Sequence, residues 1–298
     1  MLTGFIFLDK PEGITSFVAA NRVKRILHVN KTGHTGTLDP MATGVLPIML
    51  GGATRFSQYL PTHDKAYRAK IKLGVVTDTL DITGEVLENN DVNISVDRLN
   101  EVLKSFVGLI SQYPPMYSAV SKDGVRLYKL ARMGIEIERE ARNVIIHYIK
   151  LLDVPDDNHE FEIEVSCSAG TYIRSLAADI GSELGCGATV TALRRIEANG
   201  IQIENTVTLE TVRQFAEDGR IDELITPCDK MLCCYSAVNV SEKQAVRFEN
   251  GGELDLKRIK GEKTEGFCRV YSPEKKFLGL GKICLGDGTL YVEKKLVY

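Results

Sequence analysis

The sequence predicts an α+β protein, a mixed domain of strands and helices followed by a small β-rich module. Three observations carry that expectation. Residues 65–73 alternate strictly, with Tyr67, Ala69, Ile71 and Leu73 on one face and Arg68, Lys70 and Lys72 on the other. Phe161, Ile163, Val165 and Cys167 alternate in the same way with Glu160, Glu162, Glu164 and Ser166, and strands with one wet face are typical of antiparallel sheets. Stretches with apolar residues at helical spacing lie between the strands, whereas the chain beyond residue 235 reads as closely spaced hairpins.

In order, Phe5-Ile6-Phe7-Leu8 reads as a short strand and Asp9-Lys10-Pro11-Glu12-Gly13 as a turn. Thr15 or Ser16 then caps a helix whose apolar positions are Ala19, Ala20, Val23, Ile26 and Leu27, with Arg22, Lys24 and Arg25 on its other face. A Gly- and Pro-rich loop leads to an apolar strand over 45–50 and a helix through Phe56 and Leu60. The alternating strand 65–73 places Tyr67 inward, either as core or as a ring that stacks on a ligand. Residues 77–84 form a polar turn holding Asp78 and Asp81, and 96–107 an amphipathic helix. Residues 111–142 look like an insertion, irregular through Tyr113-Pro114-Pro115 and then helix-like, with Arg126, Lys129 and Arg132 beside Leu127, Leu130 and Met133. Such a segment either closes over a polyanion or is a solvated excursion. Strands are expected over 144–152 and 161–167, a helix from Arg174 to Gly185, a largely extended stretch over 190–203, and a helix over 209–224. Hairpins follow over 266–271, 277–285 and 289–297.

The chain of 298 residues has an apolar fraction of 44%, a charged fraction of 26% and a formal charge of −3, the profile of an ordinary globular protein. The charge is unevenly spread. Residues 1–78 hold ten Lys or Arg against five Asp or Glu, while 143–234 hold seven against sixteen, so a local basic face is compatible with an acidic whole. Seven cysteines without a Cys-x-x-Cys pair fit neither a disulfide framework nor a zinc site. The apolar run at residues 4–8 is too short for a signal peptide or a membrane span, and a reducing cytoplasm is the expected compartment. There is no Gly-x-Ser-x-Gly elbow, Walker loop, His-Glu-x-x-His pair or dinucleotide fingerprint. Carboxylate chemistry on a nucleic-acid or sugar substrate remains.

The loop Gly33-His34-Thr35-Gly36-Thr37-Leu38-Asp39-Pro40-Met41-Ala42-Thr43-Gly44-Val45-Leu46-Pro47 supplies the carboxylate. Three glycines and two prolines preclude regular structure across it, yet Leu38, Met41, Val45 and Leu46 anchor it to a core. Asp39 is its one acid, held extended by Pro40. It suits a nucleophile or base, or alternatively the cap of a helical turn. Arg174, in a helix first turn where a cation opposes the helix dipole, needs some other partner and is a candidate functional residue.

Leu8-Asp9-Lys10-Pro11, Gly33-His34-Thr35-Gly36 with Leu38-Asp39-Pro40 and Ala42-Thr43-Gly44-Val45-Leu46-Pro47, the Tyr67 strand with Thr77-Asp78-Thr79, Asp81 and Gly84, Tyr117-Ser118-Ala119, the run that continues through Lys122-Asp123-Gly124, and Gly170-Thr171-Tyr172-Ile173-Arg174 resemble the bacterial tRNA pseudouridine synthases that modify the T-loop uridine at tRNA position 55. The match runs in order across residues 5–235. The C-terminal hairpins resemble the PUA-type RNA-binding module of many members. The resemblance implies a catalytic domain over 1–234 with a long, mostly antiparallel sheet, a thumb at about 111–142, and an RNA-binding module over 235–298. It implies a monomer that isomerises a uridine flipped out of the tRNA T-arm, with no cofactor, metal or membrane. Asp39 would be the catalytic acid–base or nucleophile. Arg174 would favour its charged form, and Asp81 would place Arg174. Tyr67 would stack on the uracil in a pocket lined by Tyr172 and Leu193, His34 would support the flipped geometry, and Arg55 would join them in holding the substrate. A guide-dependent rRNA pseudouridine synthase subunit and a non-enzymatic tRNA-binding or tRNA-folding protein are the rival readings.

Overall fold

Two sheets organise the chain, which the computed structural model describes over residues 2–297 apart from Thr62, His63, Ala119, Asp123, Asn158 and the side chain of Lys122. Ala119 and Asp123 of the motifs quoted above therefore lie outside the described residues. Strand β1 (Gly4–Lys10) leads into helix α1 (Ser16–Ile26), followed by β2 (Thr32–His34), β3 (Thr43–Leu50), a 3-10 stretch (Gly51–Tyr59) and β4 (Lys65–Leu73). A hairpin of β5 (Val75–Thr77) and β6 (Val86–Asn89) precedes α2 (Val96–Ser105) and β7 (Gly108–Gln112). Short strands β8 (Ser121–Lys122) and β9 (Val125–Arg126) and helix α3 (Leu127–Arg132) stand on the way to β10 (Arg142–Asp153) and β11 (Glu160–Cys167). Then come α4 (Ile173–Leu184), β12 (Ala188–Ala198), β13 (Ile201–Gln202) and α5 (Leu209–Glu217).

Among the described residues the larger sheet has nine strands in the order β1-β3-β12-β4-β11-β10-β7, with β2 added to β3 and β13 to β12. Its pairings are antiparallel except for the short parallel contact of β12 with β3. Alternation decides what each face does. On β4 and β11 the inward residues Ala69, Ile71, Phe161, Ile163 and Val165 join one core with Val23 of α1, Leu99 and Val102 of α2, Leu176 and Ile180 of α4, and Val212 of α5. The outward charges pair across the strands, Arg68 with Glu164 at 3.4 Å and Lys70 with Glu160 at 3.1 Å.

At the β1–β3 end both faces are covered, which is why those strands read as continuous apolar runs. Ile6, Leu8, Leu46 and Ile48 face the helices. Phe5 and Met49 face a second cluster with Phe56 and Tyr59 of the 3-10 stretch and with Leu232, Phe277 and Leu280. The last two belong to the smaller sheet, formed from β14 (Ser236–Asn239), β15 (Leu254–Asp255), β16 (Gly266–Tyr271), β17 (Phe277–Cys284) and β18 (Thr289–Lys295) with helix α6 (Glu242–Glu249), in strand order β14-β16-β17-β18-β15. This PUA-like module is thus joined to the larger sheet by shared core, reinforced by Tyr235 Oη donating to the Tyr59 carbonyl at 2.7 Å.

Several elements differ from expectation for identifiable reasons. The loop expected to be irregular over 33–47 is so only over 35–42, because Gly33 pairs with Met49 and Pro47 pairs with Phe7. The Pro47 carbonyl accepts from Thr35 N at 3.3 Å, so the proline nitrogen also faces away from β1 and its missing N–H removes no bond of that ladder. Lys10 closes β1 rather than lying in a turn. The stretch through Phe56 is 3-10 rather than α. The helix expected over 209–224 stops at Glu217, where Gly219 takes φ +68, and only a 3-10 turn (Ile221–Leu224) continues. Helix α6, with Ser241 and Gln244 as a capping box, was not expected. The 111–142 segment leaves and rejoins the sheet at one paired rung, Gln112 with Arg142. Within it Leu127 is buried but Met133 is 70% exposed. Among the described residues no helix is long and apolar enough to cross a membrane.

Candidate active site

The Asp39 loop is fixed by polar anchors. Ser16, at the start of α1, accepts from Leu38 N at 2.8 Å and donates to the Leu38 carbonyl at 3.1 Å. The Pro40 carbonyl accepts from Gly13 N at 2.9 Å and from Lys10 Nζ at 3.3 Å. Lys10 is fully buried and also donates to the Pro11 and Ile14 carbonyls. Burial brings its pKa down to about 8. Leu38, Met41 and Ala42 complete the anchorage from within the core. At the far end, Gly44 has φ +103, and a Cβ there would come within 2.1 Å of the Arg195 carbonyl oxygen. Only glycine lets β3 cross β12 so closely.

Between these anchors the Asp39 side chain is presented to Arg174, with Oδ2 2.9 Å from Nε. The guanidinium is 4% exposed and every nitrogen is used. Nη1 donates to the Thr79 carbonyl at 2.7 Å and lies 3.3 Å from Asp81 Oδ2, and Nη2 donates to the Tyr117 carbonyl at 2.8 Å. Asp81 is aimed by its own turn. Leu80 adopts φ +61, a rare state for a branched side chain, and Asp81 Oδ1 accepts from Thr79 Oγ1 at 2.9 Å and Thr83 N at 3.0 Å. This network gives Arg174 the partners its place in the helix first turn demanded. It also separates the two readings of Asp39, whose side chain is paired with a cation while a backbone bond from Ala42 N to the Asp39 carbonyl makes the turn. The net effect on Asp39 is opposite to the expectation from Arg174 alone. Partial burial raises its pKa from the ordinary aspartate value, and the Arg174 charge only partly offsets that.

Asp39, Arg174, Tyr67, Tyr172 and Leu193 share a cavity of about 240 Å³, the size of a single nucleoside. Tyr67 and Leu193 come from the neighbouring strands β4 and β12. The Tyr67 hydroxyl is pushed up by burial and stays protonated. Tyr172 is held by Gln112, which accepts from its backbone N–H at 2.8 Å and donates to its carbonyl at 3.0 Å. Asp81 stands behind the cavity rather than in its wall. His34 and Arg55 are not lining residues. His34 ends β2 with Nδ1 buried and unpartnered, and Arg55 is exposed on the 3-10 stretch, next to Thr54, which stands close to Gly33. A larger cavity of about 630 Å³ between α1, α5 and the end of β1 contains the Asp9–Arg194 ion pair and no such constellation. No group of three or more potential metal ligands occurs among the described residues.

Two residues of the site escaped sequence reasoning. Lys65 lines the cavity, and Arg195, 1% exposed, donates from Nε to the Val45 carbonyl at 2.8 Å and from Nη2 to the Gly36 carbonyl at 3.2 Å, clamping both ends of the loop. The available signal was spacing by two, since Lys65 shares a strand face with Tyr67 and Arg195 with Leu193.

A carboxylate aimed into a nucleoside-sized cavity with an aromatic floor is the constellation of an enzyme that works on one extruded base. Residues 24–173 match the N-terminal domain of the TruB family pseudouridylate synthases, 174–233 the tRNA pseudouridylate synthase B C-terminal domain, and 236–294 the pseudouridine synthase II TruB C-terminal domain. The chain belongs to the TruB family. Its relatives include tRNA pseudouridine synthase B of Escherichia coli strain K12 and of Shigella flexneri serotype 5b. Each is 43% identical over 292 residues, covering 95% of this chain and 91% of the relative. Among solved structures, an H/ACA RNP bound to a substrate RNA containing 2'-deoxyuridine aligns with TM-score 0.70 and 26% identity, and a Cbf5-Nop10-Gar1 complex with TM-score 0.71 and 28% identity. Each alignment covers 99% of this chain and 85% of the other.

Proposed function

We propose that this chain converts uridine to pseudouridine at position 55 in the T-loop of tRNA, acting in the cytoplasm as a monomer without a guide RNA. The observation that carries the reading is the Asp39–Arg174 pair at 2.9 Å in the wall of a cavity floored by Tyr67. The reaction breaks the N1–C1′ bond, turns the base, forms C5–C1′, and moves the C5 proton away as N1 regains one, so no redox partner is required. Asp39 is the catalytic carboxylate, either attacking the sugar or handling its proton. Arg174 and Asp81 fix its direction, Tyr67 stacks on the uracil, and Tyr172 and Leu193 confine it. His34 and Arg55, outside the cavity wall, serve the flipped strand rather than the base. Residues 1–234 are the catalytic unit, about 111–142 within it grip the T-arm, and 235–298 hold RNA.

The guide-dependent reading is less favoured. The H/ACA likeness rests on 26–28% identity, against 43% to a synthase whose name specifies tRNA. The intact Asp39–Arg174 pair favours catalysis over binding alone. Purified protein incubated with unmodified tRNA transcript and no other component should yield pseudouridine at the T-loop uridine. Asp39→Asn should form no product while RNA affinity stays within a few fold, since phosphate contacts carry most of the binding. No product from the wild-type protein, or turnover of Asp39→Asn within tenfold of it, would overturn the assignment.

A further inference from the structure

The wall that holds Asp39 also carries Lys65, and the loop clamp Arg195 stands close to it with one nitrogen to spare. Lys65 lines the cavity, and no hydrogen bond or ion pair engages it among the described residues. Arg195 Nη1 is buried without a partner, and so is His34 Nδ1. The two cations converge on Gly36, since a Cβ built there would lie 3.5 Å from Arg195 Nη1 and 3.8 Å from Lys65 Nζ. No carboxylate pairs with either cation among the described residues, the one acid of the cavity wall, Asp39, being paired with Arg174. Burial and the Arg195 charge depress the pKa of both Lys65 and His34, as expected of uncompensated positive potential. Strand alternation fixes this arrangement. Lys65 and Tyr67 share a face of β4, and Arg195 is the cross-strand neighbour of Tyr67 on β12.

Two cations without a carboxylate partner, each with a free donor, beside a nucleoside-sized cavity are complementary to a phosphodiester, and a nucleoside seated on Tyr67 carries one on each side of its ribose. We propose that Lys65, backed by Arg195 Nη1, binds one of the two backbone phosphates flanking the flipped uridine, and that Gly36 is glycine because a side chain there would cover the two cations. The inference rests on the functional reading above and adds a residue to it. Lys65 is a substrate-binding residue and Arg195 a positioning residue that acts through Lys65 and through the loop it clamps.

The test pairs a protein change with an RNA change. Lys65→Met keeps the aliphatic stem and removes the charge, and a T-arm stem–loop with a methylphosphonate on the 5′ or the 3′ side of the target uridine removes one phosphate charge. Removing one charge-assisted interaction is expected to lower kcat/KM about 10- to 100-fold. For one of the two linkages, wild-type protein on neutral RNA and Lys65→Met on unmodified RNA should fall alike, with no further decrease when both changes combine. Lys65→Arg should recover most of the activity on unmodified RNA. In the free protein Lys65→Met should unfold at a higher temperature than wild type, because it relieves repulsion that only RNA otherwise relieves. Decreases that add for both linkages, undiminished activity of Lys65→Met, or a lowered unfolding temperature would each overturn the inference. Failure of the functional reading is distinct, because wild-type protein would then form no pseudouridine even in unmodified RNA.

Discussion

Arg174→Lys tests the central network most sharply, because it keeps the charge and discards the geometry. The guanidinium spans Asp39, Asp81 and the carbonyls of Thr79 and Tyr117, at distances of 2.7–3.3 Å. An ammonium is a point donor that cannot bridge these directions at once. If it stays with the carboxylates, the two carbonyls go without a donor at about 1–3 kcal/mol each, a destabilisation of about 2–6 kcal/mol. If it leaves Asp39, a charge-assisted hydrogen bond worth about 1.5–3 kcal/mol disappears, lowering the rate about 10- to 150-fold. The sign of the pH effect follows from the same interaction. Burial already raises the Asp39 pKa and Arg174 opposes it, so weakening the pair raises it further and moves the acidic limb of the pH–rate profile toward higher pH. Single-turnover pseudouridine formation across pH, with RNA affinity and thermal unfolding measured in parallel, separates these effects. A rate within threefold of wild type, or a limb that stays or moves to lower pH, would refute the argument.

Two further outcomes are expected. Replacing Arg126, Lys129 and Arg132 by Ala should weaken tRNA binding and flatten the slope of log affinity against log salt by about one unit for each phosphate no longer neutralised, with the rate at saturating RNA less affected; an unchanged slope would make the 111–142 segment a surface excursion. Asp179, half-buried on α4, has its pKa raised to about 6 by desolvation. The folded state therefore binds the extra proton between about 3.8 and about 6, and the stability penalty is absent below that window and complete above it. Asp179→Asn should stabilise the protein at pH 7 by about 1 kcal/mol after allowance for partial exposure, with no gain near pH 3.5 in denaturant titrations.

Elements with strict alternation or a clear cap were legible at the level of the residue, β4 and the Thr15 cap among them. The 3-10 stretch was not, since its Ala53 and Phe56 spacing suits either helix type. Pro47 misled because its tolerance depends on which side of the strand its nitrogen faces, and Gly33 because its pairing with Met49 is settled by tertiary neighbours. At the site, Asp39 and Arg174 stood out through local oddity, an acid on a rigid loop and a cation against a dipole. Their meeting, and the raised Asp39 pKa, depend on burial that no local pattern encodes. Lys65 and Arg195 look like ordinary strand cations until both are seen to approach Gly36.

Arg174 has one more consequence. The group that aims the carboxylate also holds Tyr117, at the root of the segment proposed to grip the T-arm. If that segment grips RNA, grip and chemistry meet at one guanidinium. A pull on the thumb that displaced the Tyr117 carbonyl would tug the same planar group that steers Asp39, so an RNA that seats the thumb wrongly would also leave the carboxylate misaimed. Proofreading of substrate shape would then need no second checkpoint, because a badly held RNA would meet a disarmed acid.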